Sequence, residues 1–436
     1  MTTQAYTTSA QTTAIPNEAV AAAGQGVTNG LERRLPGLAG LLSLPGFVGL
    51  SLSNGIVHSF SMRIHAMIVA WLVLEMTGSK LWLGIVTGVP SVGVVAFALL
   101  GGVLADSRDP RRTLIVSRGL LATVSFLAAV LATNGQLPVG LLMVCVLANV
   151  SLMAADMPVS RVLLTQVVGN SRLISAGAAN LVAINLFSIA GPLALGVLIG
   201  KAGASWALFV LFGGYLAAML LMVRQPARSS AVAAGTGAHP LADLTAGLAY
   251  LRSAPVVAAF VRLGFMVSVA GIYFGMVPVY AREVLRVGPE GLGLLTASFS
   301  AGSLAGALYM TANGNLRRRG RLMLVLSLMF SVLMLGFAVS QNFWLSCAFS
   351  LSMGLVSAFW QNTLSALIQV TAAPEMRGRA VAVFTMGYQL ANLGWLVGGV
   401  LATLLSVQAA VILASLAFGG FSAWVLVGHR EALEVD

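Results

Sequence analysis

Charge is scarce in this chain. Only 8% of its 436 residues are Asp, Glu, Lys or Arg, against about 25% in soluble globular domains. So few charges cannot cover a water-facing surface, which excludes a soluble protein. Cysteine is nearly absent: Cys145 and Cys347 both fall in apolar stretches, which argues against a disulfide framework or a metal site. Four scattered histidines and no H-E-x-x-H point the same way. There is no G-x-x-x-x-G-K-[ST] either, so ATP is not expected as an energy source within this chain. We expect no enzyme, no metal and no cofactor.

What the chain has instead is apolar length. Hydrophobic residues make up 58% of it, and runs of the ~20 residues that cross a bilayer as a helix recur almost throughout. Twelve are counted, at roughly 46–74, 82–105, 113–133, 138–166, 177–200, 206–223, 256–281, 292–312, 322–340, 343–370, 380–402 and 405–427, with edges uncertain by about 2–4 residues. They are too long and too uniformly apolar for barrel strands. The fold class expected is an all-α membrane protein of twelve transmembrane helices in two pseudo-symmetric six-helix bundles.

The net charge of +11 suggests nucleic acid at first sight, but topology explains it better. Of 24 Lys and Arg residues, 17 fall on one side of a twelve-helix layout, with Arg118 counted among them at the edge of span 3. Four fall on the other side (Lys80, Lys201, Arg282 and Arg286), and Arg63, Arg161 and Arg262 lie inside apolar runs. The positive-inside bias then places both termini in the cytoplasm. The first residues, rich in Thr, Ala and Gln, read as a disordered cytoplasmic tail rather than a cleavable signal peptide.

The longest polar interruption falls near 224–245 and divides the runs six and six. The expected domains are a tail at 1–40, an N-terminal bundle at 41–223, a linker at 224–254, a C-terminal bundle at 255–428 and a second tail at 429–436. In the linker, Leu241, Leu244, Leu248 and Leu251 recur at spacings of three and four, as in an amphipathic helix on the inner leaflet. Basic turns recur at matching places in the two parts, Arg108–Arg112 with Arg317–Arg321, and Gly169–Arg172 with Pro374–Arg379.

Residues 101–112, Gly-Gly-Val-Leu-Ala-Asp-Ser-Arg-Asp-Pro-Arg-Arg, set a dense charged turn against the membrane. Gly102, Asp106, Arg108, Asp109, Arg111 and Arg112 form a candidate gating loop, in which Asp106 caps the next helix or accepts arginine bonds. The pattern resembles the signature loop of the major facilitator superfamily, G-x-x-x-D-R-x-G-R-R, and more closely the D-R-x-D-R-R-R form of its enterobactin-exporter branch, with Ser107 and Pro110 in place of arginines. Similar too are Trp71–Ser79, Gly169–Asn180, Ala246–Pro255 and Pro374–Arg379. Gly191, Pro192 and Gly196 partly resemble the exporters' G-P-x-x-G-G motif, with Leu195 at one glycine position, and the export reading is preferred to a simple Gly-Pro kink. The resemblance implies transport by alternating access and a cavity lined by helices 1, 4, 7 and 10. G-x-x-x-G pairs at Gly84/Gly88, Gly302/Gly306 and Gly394/Gly398 fit close helix packing, with helices 2, 5, 8 and 11 flanking the contact between halves.

Asp156 is the one acidic residue well inside an apolar run, so it is a candidate proton carrier or a latch to an arginine. Arg161, Arg111, Arg112 and Arg63 are its candidate partners. Glu75, His58 and His65 are further proton-coupling candidates; the two histidines, seven apart, share a face of a regular helix. Arg63, Arg161, Tyr273, Trp360, Gln361, Asn362 and Tyr388 are candidates for contact with a substrate, or for helix-to-helix hydrogen bonding. The function expected is proton-coupled efflux, as an antiporter, of a small amphipathic molecule, siderophore-like or drug-like. The expected partners are that substrate, protons and the lipid bilayer, without nucleic acid, and the expected form is a monomer in a bacterial inner membrane. An importer or facilitator is the alternative within the class, and a membrane scaffold or sensor the alternative outside it.

Overall fold

The computed structural model describes residues 40–90, 109–169, 172–225, 240–312, 318–389 and 393–435, with residue 42 excepted. Every regular element among them is helical. In order they are α1 (Phe47–Thr77), α2 (Lys80–Gly88), α3 (Pro110–Thr133), α4 (Val139–Val168), α5 (Leu173–Ala202), α6 (Ala204–Val223), α7 (Pro240–Ser253), α8 (Pro255–Glu283, broken at Met266), α9 (Pro289–Ala312), α10 (Arg319–Val339), α11 (Phe343–Thr371), α12 (Arg377–Gln389), α13 (Leu393–Leu404), α14 (Val407–Gly428) and α15 (Arg430–Glu434). Ten are long and apolar enough to cross a membrane, and helices are the form that satisfies every backbone group in lipid. Their ends lie within about four residues of the runs read from the sequence. Runs 2 and 11 extend into residues outside the description, leaving α2, α12 and α13 as their described parts.

The turns explain the boundaries. Asp109 accepts from the Arg112 amide as N-cap of α3, with Pro110 in the first turn, and Ser79, Asn342 and Ser406 cap α2, α11 and α14 in the same way. Gly78 closes α1 in the left-handed region at φ 62°, where a side chain is disfavoured. Arg111 ties α3 to the end of α6, donating to the carbonyls of Met222 (3.1 Å) and Val223 (2.6 Å). Gly102, Asp106 and Arg108 lie outside the described residues; Asp109 takes the capping role that the sequence suggested for Asp106.

Among the described residues, contacts between the early helices, α1–α6, and the late ones, α8–α14, gather at the end that bears Lys80 and Glu283. The Lys80 ammonium meets the Glu283 carboxylate at 2.7 Å, and Arg282 donates to the Leu74 carbonyl at 2.8 Å. Glycines let backbones touch there: a Cβ on Gly399 of α13 would stand 2.9 Å from the Cα of Gly84 on α2. A Cβ on Gly196 of α5 would stand 3.3 Å from the Cα of Gly293 on α9. The other glycine pairs resolve differently. Gly302 and Gly306 pack on Leu351, Leu355 and Ala358 of α11, not on the early helices, and Gly394 and Gly398 pack on α8. The linker helix α7 forms and seats Gly247 against Val383 and Arg379 of α12, while Leu248 stays exposed.

Candidate functional site

Two charged constellations lie inside the helical core. The first is built on Asp156, on α4 and 1% exposed. Its partner is Arg118 of α3, which is fully buried and donates from Nε to Oδ2 at 3.2 Å and from Nη2 to Oδ1 at 3.3 Å. The same guanidinium also bonds Asn54 Oδ1 (2.7 Å) and Ser53 Oγ on α1, and Ser160 Oγ on α4 (3.3 Å). Ser160 donates to Asn54 at 2.7 Å, and Asn54 donates to Asn180 of α5 at 3.3 Å. One arginine therefore ties α1, α3, α4 and, through Asn54, α5. Burying two charges is tolerable only when geometry and extra hydrogen bonds offset their desolvation, and this network supplies both.

This corrects the sequence reading. Arg118 is not an edge residue: it lies eight residues into α3, about 12 Å along its axis. Arg161 is exposed, Arg111 is tied to α6, and Arg63 belongs to another site, so none of the three pairs with Asp156. Asp109 accepts from the Arg112 amide in the first turn of α3, and the Arg112 side chain is exposed there, away from Asp156. The signal for Arg118 was available: a Pro110 helix start makes it the only arginine deep in that helix.

The histidines do not share a face. Between them, residues Phe60–Ile64 form a π turn, whose extra residue turns the rest of the helix by about 100°. His58 is left within electrostatic reach of Asp156, Arg118 and Arg161, while His65 is enclosed elsewhere. Glu75 is exposed at the end of α1, where it accepts from Trp71 Nε1 at 2.6 Å.

The second constellation is a cavity of about 70 Å³ between early and late helices, lined by Met62, Arg63 and Met67 of α1, Tyr273 and Phe274 of α8, Phe299 of α9 and Trp395 of α13, among others. The Arg63 guanidinium lies 5.7 Å from the Phe274 ring centroid and 5.1 Å from that of Phe299, within cation–π range of both. Tyr273 is buried, its hydroxyl 3.2 Å from Ser350 Oγ. The volume suits a few waters and is far below the ~300–1,000 Å³ of a small-molecule pocket. The cavity lies just inside the Lys80–Glu283 contacts.

Of the substrate-contact candidates, the structure brings Arg63 and Tyr273 together here. Trp360 is buried away from the cavity, donating from its indole to Ser327 Oγ at 2.9 Å and packing on Phe418. Gln361 and Asn362 bond one turn back on their own helix, to Ser357 Oγ and the Ala358 carbonyl. Tyr388 falls on α12, with its side chain outside the described residues. Sequence reading missed Phe274 and Phe299, because phenylalanines are indistinguishable from packing in so apolar a chain. In α5, Pro192 is accommodated without ending the helix; Gly191 faces Ile64 of α1, and Gly196 faces α9.

A bundle of apolar helices with a buried ion pair and a charged interfacial cavity defines a polytopic membrane protein with polar chemistry inside it. Residues 52–393 match the Major Facilitator Superfamily, and the chain belongs to that family, one of membrane transporters and not of enzymes. Its curated relatives include the enterobactin exporters EntS of Citrobacter koseri, 26% identical over 328 residues, and of Shigella boydii, 26% identical over 333, each match covering 74% of both chains. Among solved structures, the nucleoside transporter NupG superposes with a TM-score of 0.67 at 14% identity, covering 89% of this chain and 100% of that one. The D-xylose-proton symporter gives 0.66 at 15%, covering 86% and 97%. At such identities the likeness concerns the fold.

Proposed function

We propose that this protein is a proton-coupled exporter of small amphipathic molecules, anionic or neutral, working by alternating access as a monomer in a bacterial inner membrane. Twelve spans would form two six-helix halves, residues 41–223 and 255–428, joined by the linker at 224–254, with both termini and the tails at 1–40 and 429–436 in the cytoplasm. The observation that carries the reading is the Arg63 cavity, set between early and late helices that the Lys80–Glu283 pair also joins. A site reached from one side at a time is what alternating access requires.

Asp156 is the proposed proton carrier, with His58 beside it as a candidate relay. Protonating Asp156 would remove the charge that holds Arg118, loosening the hold of Arg118 on Ser53 and Asn54 of α1, the helix that also carries Arg63. Glu75 and His65 are the remaining candidates. The 102–112 loop, with Asp106 and Arg108, is the proposed gate at the opposite face, and Gly191, Pro192 and Gly196 the export motif. The Arg63 guanidinium on the cavity wall, beside the Phe274 and Phe299 rings, favours organic anions, siderophore-like compounds among them, over cationic drugs.

Everted membrane vesicles test this reading. Solute accumulation should need an imposed proton gradient and stop when an uncoupler collapses it; accumulation unaffected by the uncoupler would rule out proton coupling.

A further inference from the structure

The π turn of α1 is closed by the His65 N–H, which donates to the Phe60 carbonyl. Such single-turn insertions occur frequently at functional sites. Here the turn is seated in glycine on two sides. A Cβ on Gly214 of α6 would enter the Phe60 ring, and a Cβ on Gly191 of α5 would enter the Ile64 side chain. Hydroxyls fix it further. Ser59 donates to the Ile184 carbonyl (2.6 Å) and accepts from Ser188 (3.0 Å), both on α5. Ser61 meets the Tyr215 hydroxyl at 2.9 Å, which Asn149 of α4 reaches at 3.0 Å. Phe60, Ser61 and Ile64 are thus held to the early helices, and Met62 and Arg63 are left to line the cavity.

We propose that Gly191 and Gly214 are positioning residues for the substrate site: by admitting Ile64 and Phe60, they seat the π turn so that Arg63 is presented between Phe274 and Phe299. A methyl group at Gly191 would meet the end of the Ile64 side chain and one at Gly214 the Phe60 ring, and relieving either clash by moving the turn would carry the guanidinium off the rings. Gly191 then has a role apart from bending α5, and selectivity depends on two residues that never touch the substrate. The proposal rests on reading Arg63 as the recognition group of the cavity.

The test uses Arg63→Cys in a full-length background with Cys145 and Cys347 replaced by alanine. The labelling rate of that cysteine by a charged thiol reagent is measured on purified protein, alongside the melting temperature. Gly191→Ala and Gly214→Ala should each lower the rate severalfold, and Gly191→Ala combined with Ile64→Ala should restore it. If a glycine variant does not fold, Ile64→Ala alone, which empties the Gly191 seat from the other side, should change the rate severalfold. Folded variants that all label at the parent rate overturn the proposal. Labelling involves no transported solute, so it stands or falls separately from the transport reading.

Discussion

Arg118 and Asp156 sit 38 positions apart in sequence and join α3 to α4 through two charged hydrogen bonds, at 3.2 and 3.3 Å, with neither side chain more than 1% exposed. Removing either partner leaves an uncompensated buried charge. Arg118→Ala and Asp156→Ala should each lose about 3–5 kcal/mol of stability, and the double variant should lose clearly less than their sum. Thermal melts in detergent measure the cycle. Strict additivity would show that the two residues do not act as a pair.

The proposed coupling role of Asp156 is separable from its structural one. Asp156→Asn keeps one acceptor for Arg118 but cannot carry a proton. We expect it to abolish efflux against a concentration gradient while leaving downhill exchange intact. A variant that still concentrates solute would move the proton carrier to His58, His65 or Glu75.

At the Lys80 end, the Lys80–Glu283 contact must break whenever the cavity opens there. Replacing both residues with cysteine, in the background lacking Cys145 and Cys347, should let a bifunctional thiol reagent with a reducible spacer, matched to the reach of the two side chains, bridge them in the resting protein. Transport should stop on crosslinking and return on reduction of the spacer. Full transport by the crosslinked protein would mean that this end does not open.

For the cavity, Arg63→Ala should weaken binding of aromatic organic anions by about 10–100-fold, the value of one or two hydrogen bonds to a charged group. Tight binding of lipophilic cations, insensitive to the substitution, would mean the substrate class is wrong. Isothermal titration on purified protein decides between them.

Much of the fold was legible because apolar length is a strong signal: α3 and α11 begin and end within three residues of the expected runs. Asp156 stood out for the same reason, as an acid in an apolar stretch. Its partner did not, because Arg118 is close enough to a basic turn to be counted with it, and only the Pro110 start shows its depth. The separation of His58 from His65 was illegible in principle. It comes from a π turn, which ideal helical spacing does not anticipate and which glycines on two other helices accommodate. For Trp360 the sequence left substrate contact and helix-to-helix bonding open, because an indole that reaches a serine across helices looks, in sequence, like one that faces a substrate.

The most direct test of proton-coupled export is proton movement itself. Purified protein is reconstituted in liposomes holding a pH-sensitive dye, and gradients of aromatic organic anions are imposed across them. The account predicts proton countermovement with the native protein and none with Asp156→Asn. Solute flux without proton movement, or equal proton movement in both proteins, would contradict it.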